Sequence, residues 1–101
     1  MNALQSVKQM EQTFRNAGFE VTVNETEKEY RVEAITKGKW FETTKMFYAT
    51  AWKSPSNRWV KFFSVSTIRP FGETSRKGKL TTAAMWFEIN FTIKYSVKVG
   101  A

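Results

Sequence analysis

From Leu4 to Ala17 the apolar residues recur at three- and four-residue steps. Leu4, Val7, Met10, Phe14 and Ala17 fall on one stripe, while Lys8, Glu11, Gln12 and Arg15 fall outside it. This spacing predicts a helix over residues 2–17, with Asn2 as its N-cap. Gly18 ends it, because glycine readily takes the left-handed conformation past a helix C-terminus, and Arg15 suits the negative end of the helix dipole.

After Gly18 the period falls to two. Phe19, Val21 and Val23 alternate with Glu20 and Thr22, and Tyr30, Val32 and Ala34 alternate with Arg31 and Glu33, predicting strands over residues 19–24 and 29–36. Lys37-Gly38-Lys39 reads as a turn into a third strand, residues 40–52. Lys53-Ser54-Pro55-Ser56-Asn57 is the clearest turn signal, since proline cannot donate to a central ladder and Ser and Asn favour turn geometry. A fourth strand over 58–68 stops at Pro70-Phe71-Gly72, and a polar loop runs on to Arg76-Lys77-Gly78-Lys79. From Met85 onward, Phe87, Ile89, Phe91, Ile93, Tyr95 and Val97 alternate with Trp86, Glu88, Asn90, Thr92, Lys94 and Ser96. That pattern predicts a fifth strand over 80–98 with Trp86 on its polar side.

One helix followed by about five strands joined by short turns predicts an α+β fold. The N-terminal helix packs on a curved, mainly antiparallel sheet in meander order, and 101 residues make a single domain, 1–101.

Composition alters this picture at one place. Between Trp40 and Phe63 stand eight aromatic residues, interleaved with Lys45, Lys53, Arg58 and Lys61. By alternation, Trp40, Met46, Tyr48 and Trp52 point one way from the third strand and Phe41, Phe47, Ala49 and Ala51 the other. The fourth strand sets Trp59, Phe63 and Val65 against Val60, Phe62 and Ile68. Both faces are therefore apolar, and a single helix covers only one.

The chemical inventory argues against catalysis. Cysteine, histidine and aspartate are all absent, which removes thiol nucleophiles, Ser-His-Asp and Cys-His arrangements and the usual zinc and iron ligands. The acidic groups are nine glutamates, and those at 25, 27, 29 and 33 sit among turn and strand residues with no supporting motif. We therefore expect no enzyme, no metal and no cofactor. No apolar run reaches signal-peptide or membrane-span length, so the expected location is the cytoplasm, or a host's cytoplasm, with no membrane partner.

Charge gives the remaining direction. The net charge is +7, but residues 1–33 hold four cations against six glutamates, while residues 34–101 hold twelve against three. Such asymmetry attracts a polyanion or an acidic protein surface. In a meander, alternate turns share one end of the sheet, which predicts a basic anion-binding cluster of Lys37, Lys39, Arg69, Arg76, Lys77 and Lys79. Solvated lysines guarding strand edges give the same pattern. Trp40, Tyr48, Trp52, Trp59 and Trp86 are candidates for a stacking platform or an interface.

The leading expectation is a small basic, non-catalytic protein that binds single-stranded RNA or DNA with low sequence specificity. The alternative is a protein-interaction module or inhibitor, of the kind a virus or mobile element encodes, that docks on an acidic nucleic-acid-processing protein of the host. A homodimer through an apolar sheet face would account for the surplus rings, and an apolar pocket under the helix is a third reading.

Overall fold

The computed structural model describes residues 2–37 and 43–94. Helix α1 (Ala3–Asn16) precedes five strands, β1 (Glu20–Glu25), β2 (Glu29–Lys37), β3 (Thr44–Lys53), β4 (Trp59–Ile68) and β5 (Thr74–Lys77), and a second helix, α2 (Thr82–Thr92), follows them. Each strand pairs antiparallel with the next in the chain, in the order β1-β2-β3-β4-β5, so the sheet is an open meander of the α+β class.

Both ends of α1 follow from its sequence. The Asn2 side chain accepts from the Gln5 backbone N–H at 2.8 Å, and the Gln5 side chain accepts from the Asn2 N–H at 3.0 Å, a reciprocal capping box. At the other end Gly18 takes φ 81, its N–H donates to the Arg15 carbonyl, and the Phe19 N–H donates to the Phe14 carbonyl. This is a Schellman closure, and its usual apolar contact is present, with the Phe14 and Phe19 rings 5.8 Å apart. Arg15 pairs with Glu11 at 2.9 Å rather than only facing the helix end.

Two hairpin loops share one construction. Ser54-Pro55-Ser56-Asn57-Arg58 and Arg69-Pro70-Phe71-Gly72-Glu73 each place proline second and a left-handed residue fourth, Asn57 at φ 63 and Gly72 at φ 88. In both, the fourth N–H donates to the first carbonyl and the first N–H to the fifth carbonyl. Proline presets the first turn dihedral, and the left-handed residue returns the chain to the ladder.

The core lies on one face of the sheet. Val7, Met10 and Phe14 of α1 pack on Tyr30, Val32, Ala34, Phe47, Ala49, Ala51, Phe63 and Val65, and Met85 and Ile89 of α2 join the same cluster. Phe14 meets Phe47 at 5.3 Å between ring centroids. Both helices therefore cover the same face.

The C-terminal third departs from the strand expected over 80–98. Residues 82–92 are helical, and residues 95–98 lie outside the described residues. Apolar residues are so dense here that two periods fit. Met85, Glu88, Ile89 and Thr92 also make a helical stripe, and that stripe is the buried one. Thr81 caps the helix, its hydroxyl accepting from the Ala84 N–H at 3.1 Å. The fifth strand is instead Thr74-Ser75-Arg76-Lys77, within the segment expected to be a polar loop. It has no apolar residue, so hydrophobic patterning could not reveal it.

Candidate nucleic-acid interface

The open face is built by strand alternation. In the register of the sheet, Tyr48 stands opposite Glu33 and Ser64, Thr50 opposite Arg31 and Phe62, and Trp52 opposite Glu29 and Val60. Glu29, Glu33, Tyr48, Thr50, Trp52, Phe62 and Ser64, with Met46, Ser66 and Arg76, line a groove of about 480 Å³. Tyr48 and Phe62 meet edge to face at 6.2 Å, and the Arg31 guanidinium lies 6.0 Å from the centre of the Tyr48 ring. Trp52 is 36% exposed, beside the exposed Val60. Three aromatic side chains thus stand on a face that neither helix covers.

The floor beneath these rings is polar. Thr50 and Ser64 are buried there. Thr50 Oγ1 and Arg31 Nε, on directly opposed residues, are buried with no hydrogen-bond partner among the described residues. Buried polar atoms left unpaired cost stability, so this pair marks a polar and incompletely satisfied layer beneath the rings. Arg31 also holds Glu29 at 2.8 Å.

The expected platform residues separate into groups. Tyr48 and Trp52 share the open face. Trp59 alternates onto the helix side of β4, half-buried against the core, with Lys53 Nζ 5.5 Å from its ring centre. Trp86 lies on α2, also half-buried against the core, because the segment expected to turn it outward is a helix. Trp40 lies outside the described residues. Phe62, absent from the expected platform, completes the open-face group. Its signal was its parity opposite Trp59 and Phe63.

The expected six-cation cluster is likewise divided. Lys37 ends β2 and Arg69 begins the β4–β5 loop, at the same end of the sheet as meander order requires. They are separated by β3, about 10 Å across two strand spacings. Arg76 and Lys77 are neighbours in β5 and so point to opposite faces, Arg76 to the groove and Lys77 to the helix side. Lys79, at φ 55, lies in the link to α2, and Lys39 is outside the described residues. Lys45, in none of the expected groups, joins Lys77 at Glu88, with Nζ–carboxylate distances of 3.6 and 2.7 Å.

Because strands follow chain order, the charge asymmetry of the sequence becomes lateral. Residues 20–37, forming β1 and β2, carry three cations and five glutamates. Residues 58–94, forming β4, β5 and α2, carry seven cations and two glutamates. The groove lies between an acidic and a basic edge. Among the described residues no group of three or more histidine, cysteine, aspartate or glutamate side chains is placed to hold a metal ion. No helix among them is long and apolar enough to cross a membrane. Comparison with protein-family models, curated proteins and solved structures finds no match to this chain.

Proposed function

We propose that this chain is a small, non-catalytic nucleic-acid-binding protein that takes single-stranded RNA or DNA on its open sheet face with low sequence specificity. The observation that carries this reading is the grouping of Tyr48, Trp52 and Phe62 on an uncovered face beside the basic β4–β5 edge. Ring faces stack on unpaired bases of any identity, and nearby cations hold the phosphates. Arg76 on the groove, and Lys37 at the end of β2, are the cations this reading assigns to the backbone. Paired bases expose no stacking face, so a duplex should bind more weakly.

Tryptophan fluorescence titrated with single-stranded and duplex oligonucleotides across a salt series tests this. The expected result is tighter single-strand binding whose log affinity falls linearly with log salt. Trp52→Ala should weaken it by about 1–3 kcal/mol. No affinity for either form at low salt rejects the reading.

Phe71 at 72% exposure and Phe87 at 67% favour a second reading, a protein-interaction module whose basic side docks on an acidic protein. A specific partner retained after nuclease digestion, together with a flat oligonucleotide titration, would select it.

A further inference from the structure

On the helix-covered side, away from the aromatic groove, a second cleft of about 260 Å³ lies between α2 and the β4–β5 end of the sheet. Lys45, Thr67 and Ser75 stand in one cross-strand row, since Lys45 faces Thr67 and Thr67 faces Ser75. Arg69 lies two residues beyond Thr67, Lys77 two beyond Ser75, and Glu88 of α2 closes the other wall. Three cations face one carboxylate, a net of two positive charges in a lined cleft. Two of the cations, Lys45 and Lys77, already converge on carboxylate oxygens at 3.6 and 2.7 Å. The described residues give the Arg69 side chain no carboxylate partner.

We propose that this cleft is a phosphate-binding site, with Glu88 as the internal anion that holds its lysines apart from ligand. A phosphomonoester carries close to two negative charges at neutral pH and three acceptor oxygens, which matches the excess charge and the donors present. Lys45 and Lys77 supply ammonium donors, Arg69 a planar fork, and Thr67 and Ser75 hydroxyls at the floor. Glu88 competes with the incoming phosphate for Lys45 and Lys77. An internal phosphodiester, with a single negative charge, fits this balance less well than a terminal or free phosphate. The inference is independent of the aromatic groove and stands or falls without it.

The test is a phosphorus NMR titration of inorganic phosphate with the full chain, against chloride at equal ionic strength. Saturable broadening is expected for the wild type, and Arg69→Ala should reduce the affinity about tenfold with the thermal midpoint unchanged. Glu88→Gln should raise the affinity, the opposite of what a merely structural ion pair predicts. Absence of saturation in the wild type, or Arg69→Ala binding phosphate as the wild type does, overturns the proposal. A 5′-phosphorylated oligonucleotide compared with its 5′-hydroxyl form then separates the sources. A gain from the phosphate that Arg69→Ala removes identifies chain ends, and saturation by inorganic phosphate without that gain identifies a free phosphate compound. Trp52→Ala should weaken oligonucleotide binding and leave the phosphate titration intact, so failure of one reading does not mimic failure of the other.

Discussion

The covered and open faces of the sheet come from the same strands, and each carries large rings. On the covered face Tyr30, Phe47 and Phe63 are set among Ala34, Ala49 and Ala51. On the open face Tyr48, Trp52 and Phe62 are set among Thr50, Ser64 and Ser66. The alanines lower the sheet surface between rings, so that Met10 and Phe14 of α1 descend to full burial. A helix laid on the other face would bury hydroxyls together with Arg31, Glu29 and Glu33, at the cost of desolvating them. The choice of face follows from what lies between the rings rather than from how many rings there are.

Matched truncations should break this contrast most severely if it is wrong. Phe47→Ala is expected to lose about 3–5 kcal/mol in urea denaturation. Phe62→Ala should lose about 1 kcal/mol and act chiefly on oligonucleotide affinity. Equal stability losses would mean that the open face is as much a core as the covered one.

A smaller effect concerns the rim of the covered face. At the edge of the core the Tyr30 hydroxyl donates to the Glu11 carboxylate in a part-buried hydrogen bond, and Tyr30→Phe should cost about 1 kcal/mol at neutral pH. Burial first, and the Glu11 hydrogen bond second, raise the Tyr30 phenol from 10.0 to about 12. The folded chain therefore keeps a proton that the unfolded chain releases. The stabilisation is whole below pH 10.0 and is lost as pH rises through about 12. Urea midpoints of wild type and Tyr30→Phe should converge across that window, and a constant gap would show that the phenol does not titrate this way.

The smallest change lies off both faces and sets a baseline. Asn57→Gly relieves a left-handed residue but loosens the unfolded chain, and should shift stability by no more than about 0.5 kcal/mol. A larger shift in thermal melting would couple the β3–β4 loop to one of the faces.

Much of the fold was legible because local signals agreed with one another. The Leu4-to-Ala17 stripe, its caps, the proline turns and the parity of β2 to β4 all lie in short windows. The region after Ile68 resisted reading for two opposite reasons. Thr74-Ser75-Arg76-Lys77 has no apolar residue by which to declare a strand, and Thr82–Thr92 has so many that alternation and helical spacing coexist. Only Met85 and Ile89 entering the core decides between them. For the site, parity placed Tyr48 and Trp52 together, but Arg76 and Lys77 parted once their loop became a strand. Glu88 as the joining anion had no local signal, because its partners lie on β3 and β5.

The paired Pro-containing loops bear on how the chain reaches this state. Each closes a hairpin between neighbours in sequence, so the sheet is assembled without long-range loop closure. Only the return of α1 and α2 to the completed surface spans many residues. The search for the native topology is thereby reduced to successive short steps, and two of those steps begin from turns whose dihedrals proline has already narrowed.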